Sequence, residues 1–182
     1  MPGQRLGSMI GATFGLIYVL INAGQLPLAI RLPLRATGVV AFLAVLAAVC
    51  RIRGGSASDG AVAGRVGGFG RTYWLVVAAE AAALWAGLAV LNGPLHAPDA
   101  GVAWVSTVVG AHFFAIAIVF GQRFFHVLGA GIVACGVIGL LLVAAGARVQ
   151  LVATISGIVP GALLLASGWW GAHRVPPRPA AS

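Results

Sequence analysis

Apolar residues along this chain neither alternate nor recur at every third or fourth position. They run on in blocks of about twenty, separated by short stretches that carry the arginines and most of the prolines. A helix of about 20 residues rises about 30 Å, the thickness of a bilayer's hydrocarbon core. Six such blocks are legible: about Gly7–Leu26, Thr37–Cys50, Thr72–Leu91, Val102–Gly121, Val127–Ala145 and Val149–Trp170. The second is short, and its apolar character reaches back toward Leu32. The predicted fold class is all-α, an integral membrane bundle of six transmembrane helices. It forms one domain over residues 1–172, with a Gly/Arg-rich loop at 51–71 and a proline-containing tail, 173–182, read as disordered.

Composition strengthens this reading. The 182 residues are 60% hydrophobic and 8% charged, with a mean hydropathy of +1.04. Soluble domains carry about 25% charged residues, so this chain lacks the charge to clothe a water-facing surface. The formal charge of +8 is all arginine, without a single lysine. The arginines stand singly or in pairs between apolar blocks, as orientation signals do, and not in the clusters with stacking aromatics that nucleic acid requires. The abundance of Ala, Gly, Val and Arg resembles that of proteins from high-GC bacteria, which places the expected home in a bacterial inner (plasma) membrane. Cys50 and Cys135 lie in or at the end of apolar blocks without CxxC spacing, and are read as small core residues.

Arginine also orients the chain. Arg5, Arg51, Arg53, Arg65, Arg71, Arg123, Arg174 and Arg178 fall on one side of the six-span scheme; Arg31, Arg35 and Arg148 fall on the other. Positive charge is retained in the cytoplasm, so both termini are expected there. Asp99 lies between spans 3 and 4, on the outer side. The aromatic residues Tyr73, Trp74, Trp104, Phe124, Phe125, Trp169 and Trp170 sit at span ends and read as interfacial anchors. Arg5 followed by Met9–Ile21 resembles a leader peptide, but Ala23 makes a poor cleavage site and apolar residues continue through Leu26–Ile30, so the first span is read as retained. The glycines between Gly64 and Gly70 lack the preceding strand and following helix of a phosphate-binding loop. They read as a cytoplasmic linker whose arginines meet anionic headgroups.

Helices in lipid gain little from hydrophobicity toward one another, and close approach depends on small residues. Four i, i+4, i+8 series fit that need: Gly7/Gly11/Gly15, Ala79/Ala83/Gly87, Gly131/Cys135/Gly139 and Ala153/Gly157/Gly161. Such ridges serve internal packing or a homo-oligomer equally well. Pro160 should kink span 6. A weak 3+3 inverted repeat is suggested by Gly11-Ala-Thr-Phe14 against Gly110-Ala-His-Phe113, and by Arg71 and Arg148 opening spans 3 and 6.

Two polar residues are out of place. Glu80 lies nine residues beyond Arg71, about 13 Å deep, and His112 lies eleven residues before Arg123, about 16 Å deep on the same side. Both fall near the midplane, on spans joined by a short loop and therefore expected to be antiparallel neighbours. An acid at the bilayer centre costs about 2.5–3.5 kcal/mol on insertion scales. Glu80, His112 and Tyr73, which shares the face of Glu80, form the candidate intramembrane polar site. Glu80 protonated and hydrogen-bonded to a neighbouring helix, with His112 donating to a carbonyl, is the structural alternative. Asn22 and Gln25 at the outer end of span 1, and Pro160 with its kink, are secondary candidates. Thr154 and Ser156 are expected to satisfy the kinked backbone.

Three function classes follow. A small solute or proton-coupled transporter-like protein using the Glu80/His112 pair fits the midplane acid and the kinked last span. A non-catalytic membrane subunit, scaffold or assembly partner fits the short loops. An intramembrane enzyme is the third, and the sequence offers no catalytic, cofactor-binding or metal-ligating constellation for it: Ser106 and Thr107 lack an evident base, and no histidines have ligand spacing. The expected partners are the lipid bilayer and either a second copy or a partner membrane subunit, with no nucleic acid.

Overall fold

The computed structural model describes residues 2–53, 71–120 and 123–173, with side chains described except at 2–6, 52–53, 71–73 and 119–120. The Gly/Arg-rich loop at 54–70 and the tail beyond His173 therefore lie outside the described residues. The elements run α1 (Pro2–Asn22), a 3-10 turn (Ala23–Gln25), α2 (Leu28–Arg53), α3 (Arg71–Asn92), a 3-10 turn (Pro98–Ala100), α4 (Gly101–Phe120), α5 (Arg123–Ala144), α6 (Val149–Ala153), a π-helical turn (Thr154–Ile158) and α7 (Val159–His173). There is no strand among the described residues. Six helical stretches are long and apolar enough to cross a membrane, with α6, the π-turn and α7 forming one continuous span, Val149–His173.

Two tight helix pairs organise the bundle, α1 with α7 and α4 with α5. α2 packs against α1 and α7, and the π-turn touches α1, α4 and α5, tying the pairs together. α3 packs chiefly on α4.

The tight pairs are built on glycine. A Cβ added at Gly15 would lie 2.7 Å from the Gly161 carbonyl oxygen, and one at Gly161 would lie 2.9 Å from that of Gly15. Further along the same crossing, Gly168 sits against the Ser8 carbonyl. In the α4–α5 pair, Gly110 and Gly129 face each other's backbones in the same way, and Gly136 sits against the Ala103 carbonyl. Backbones this close gain dispersion and weak Cα–H···O contacts that any side chain would prevent. Of the expected ridges, Gly15, Gly87, Gly139, Gly157 and Gly161 lie at close contacts, whereas Gly7 has nothing within 4 Å. The seam of α5 toward α4 runs through Gly129, Val133 and Gly136, at mixed spacings of four and three, which a strict four-residue search passes over.

Local contacts explain where α2 begins and where α5 stops. α2 begins at Leu28, well before Thr37, and carries Pro33 within it. Its Arg35 remains in the helix because Nε and Nη2 both donate to the Leu20 carbonyl, at 3.1 and 2.8 Å. A guanidinium is thus placed against the open carbonyls and negative dipole end of α1. Just beyond the end of α5 at Ala144 lies Gly146, with φ of +70°. The Ala147 N–H reaches back to the Leu142 carbonyl and the Gly146 N–H to Val143, the glycine-dependent C-terminal closure.

Candidate functional site

The α3–α4 contact sets the register of the site. Gly87 leaves a notch on α3 that the Trp104 indole of α4 occupies, and Trp104 Nε1 donates to the Ala83 carbonyl at 3.1 Å. Trp104 was expected to be an outward interfacial anchor. It turns toward α3 because the notch and an accepting carbonyl satisfy both its faces and its N–H. From this latch, Glu80 lies seven residues back along α3 and His112 eight residues forward along α4. At 1.5 Å per residue both are about 11–12 Å away, and the antiparallel helices bring them level.

They meet. Glu80 Oε2 is 2.8 Å from His112 Nδ1, and the side chains are only 21% and 16% exposed. Nδ1 has no hydrogen-bond partner among the described residues, so the contact is an electrostatic one. The imidazole also meets the edge of Phe113 at 6.4 Å, and Phe113 stacks on Phe125 of α5. Two ionisable groups in contact, walled by aromatics and helix backbone, can hold a proton on either partner or share a third polar group. Among the described residues no three His, Cys, Asp or Glu side chains gather as metal ligands.

A second polar thread crosses the centre of the bundle at the break in span 6. A regular helix would bond the Ser156 carbonyl to the N–H of residue 160, and Pro160 has none. Ser106 of α4 donates its hydroxyl to that carbonyl instead, and both serines are fully buried. Ser156 donates its own hydroxyl to the Cys135 carbonyl of α5 at 2.9 Å. The break in span 6 is thus bridged to two neighbouring helices. Thr154 bonds back to Gln150 of its own helix at 2.7 Å, as an intrahelical threonine is expected to do.

The remaining sequence candidates divide. Asn22 is buried, packs into the space left by Gly157, and donates to the Tyr18 carbonyl at 2.8 Å. Gln25 is exposed at the end of the 3-10 turn, apart from Asn22. Pro160 is buried at the break. Tyr73 lies on α3 two turns before Glu80, with its side chain outside the described ones. Two residues were missed. Ser106 was considered only as a nucleophile without a base, and Tyr18 was not considered at all. Tyr18 is 8% exposed, and its hydroxyl is buried without a hydrogen-bond partner among the described residues. A usable signal existed for both: Tyr18 precedes Asn22 by one helical turn on the same face, and Pro160 demands a donor for the Ser156 carbonyl.

No family model matches the chain, and no characterised protein or solved structure matches it.

Proposed function

We propose that this chain is a multi-pass protein of the cell's inner (plasma) membrane, with both termini cytoplasmic, that moves a proton or a small proton-coupled solute through the Glu80–His112 pair. The observation that carries this reading is the 2.8 Å contact between a carboxylate and an imidazole on two adjacent apolar spans. An acid inside a membrane is expensive, and acids kept there face bundle interiors and mark ion or solute paths. The π-turn before Pro160 supplies the irregular backbone that such paths use where it lines a protein interior. The side assigned to the termini rests on the arginine asymmetry.

The test is flux. Purified protein in liposomes carrying an internal pH dye should dissipate an imposed pH gradient, alone or on addition of a solute from a small-molecule panel. Glu80→Gln and His112→Ala should each abolish that response while remaining folded. A response that persists in both variants would overturn the reading.

A second reading, a membrane subunit or assembly partner, is favoured by one observation. Only 6% of the Trp74–Asn92 span is buried, although it is as apolar as the last span. A fixed partner retained through mild-detergent purification, and lost when Trp85 and Val90 on the exposed face are changed to polar residues, would support it.

A further inference from the structure

The first turn of α2 carries a charge that the fold leaves unanswered. α2 begins at Leu28 with no acid in that turn, and Arg31 stands there, at the positive end of the helix dipole, where a cation is unfavourable. Arg35 follows four residues on, so two like charges share one helix face and repel. Arg35 is compensated. It donates twice to the Leu20 carbonyl, and a Cβ at Gly24, at the end of α1, would lie 3.6 Å from its Nη2. Arg31 is not compensated. Its Nε is buried and has no hydrogen-bond partner among the described residues, although the residue as a whole stays partly exposed. A buried donor left unpaired is costly, and more so on a charged group. The acids lie elsewhere among the described residues. Glu80 is engaged with His112 between α3 and α4, and the turn that carries Asp99 packs on α3, α4, α5 and α6.

Depth says what kind of group can answer it. Arg31 and Arg51 are twenty residues apart on α2, about 30 Å at 1.5 Å per residue, so each reaches a headgroup layer on its own side of the hydrocarbon core. Leu28, Ile30 and Leu32 around Arg31 are each more than half exposed, a surface suited to acyl chains. We propose that Arg31 centres an anion site at this end of α2 and binds a phosphate group, carried by an anionic lipid or free in solution. The guanidinium turns its Nε and one terminal nitrogen to two phosphate oxygens, the bidentate arrangement its planar fork favours. Arg35, about 6 Å deeper along the helix, adds its charge without leaving the Leu20 carbonyl. One bound anion thus gives Nε an acceptor, offsets the repulsion between the two arginines and reverses the conflict with the dipole. Because Arg35 already joins α2 to α1, binding also clamps that helix pair. The site is separate from Glu80 and His112 and stands whether or not they carry flux.

The test is ligand-dependent stability of the full-length protein in uncharged detergent. Phosphatidylglycerol and inorganic phosphate are titrated separately, with phosphatidylcholine as the zwitterionic reference, and the rise in unfolding midpoint gives an apparent affinity. At least one of the two anions should raise the midpoint, and Arg31→Gln should weaken its affinity by about ten-fold or more, the worth of a charge-assisted hydrogen bond. Arg51→Gln removes the same charge from the other end of the same helix and should leave that affinity nearly unchanged. A rise with phosphatidylglycerol alone assigns the site to a lipid headgroup; a rise with inorganic phosphate as well assigns it to the phosphate group itself. No rise with either anion overturns the proposal. So does an affinity unchanged in Arg31→Gln, or one lost equally in Arg51→Gln, which would be general attraction between charges. Should Arg31→Gln fail to fold, Arg31→Lys decides: it keeps the charge but lacks Nε and the fork. Its affinity should fall several-fold, and an unchanged value overturns the proposal equally.

Discussion

α3 and the last span are equally apolar, yet 6% of one and 44% of the other is buried. Hydropathy decides that both enter lipid; it does not decide what they do there. The last span invests in close contact. Its glycines at 157, 161 and 168 admit Asn22, Gly15 and Ser8, its orphaned Ser156 carbonyl is answered by Ser106 of α4, and the Ser156 hydroxyl binds the Cys135 carbonyl of α5. α3 makes few contacts, each specific: an indole in a notch, one N–H to a carbonyl, one carboxylate against one imidazole. The polar groups of the last span hold structure together. The acid on α3 sits where the fold makes least use of it, which supports a functional reason for its presence.

The comparison breaks if the wrong region proves fragile. The largest effect is expected from Gly161→Val, which drives a branched side chain into the Gly15 carbonyl and should cost about 3 kcal/mol. It should be seen as a large fall in the unfolding midpoint in detergent; a near-native midpoint would mean that the α1–α7 crossing is loose. Ser106→Ala comes next, leaving the Ser156 carbonyl unpaired at a cost of about 2 kcal/mol. Pro160→Ala restores a backbone donor and should reduce that penalty by half or more in a double-mutant cycle. Additive costs would show that the proline does not orphan the carbonyl.

On α3 the same kind of change should matter less. Gly87→Ala displaces the Trp104 indole and its bond to Ala83, a loss of about 1 kcal/mol, and Trp104 fluorescence should report an indole moved into a new environment. Unchanged emission would show that the notch is not what seats it. Smallest of all, Glu80→Leu should leave the unfolding midpoint within about 1 kcal/mol of wild type, or raise it, because burying a leucine costs nothing in lipid. If Glu80→Leu melts far below wild type while Glu80→Gln does not, Glu80 is a structural hydrogen-bonder and the transport reading loses its main support.

Much of this architecture could be read from residue order because lipid imposes so simple a rule. Runs of about twenty apolar residues became helices, and depth counted from flanking arginines put Glu80 level with His112. That arithmetic succeeds because rise per residue is fixed and the connecting loop is short. What failed was facing. Whether a serine looks at its own helix or a neighbour depends on which helices touch, so Ser156 was expected to serve its own backbone and instead bonds to α5. Trp104 was assigned to the interface by its position near a helix start, when the absence of a side chain at Gly87 decides its direction. The second span was expected from Thr37, with apolar character back toward Leu32; the helix starts earlier still, at Leu28, and holds Arg35 within it because the carbonyl end of α1 accepts its charge. Each of these depends on a contact between residues far apart in the chain.

The π-turn in the last span is one residue of surplus winding. An α-helix advances about 100° per residue, so accommodating an extra residue within a turn rotates everything beyond it relative to everything before. Upstream, α6 meets α4 and α5; downstream, α7 meets α1 and α2 as well as α5. One continuous helix thus presents two differently phased faces to two sets of partners, and the phase lies in residue count more than in residue identity. Removing a single residue between Thr154 and Ile158 would return the span to even winding and swing the glycine face of α7 away from α1. Removing one from the short connection after α5 would leave that phase intact.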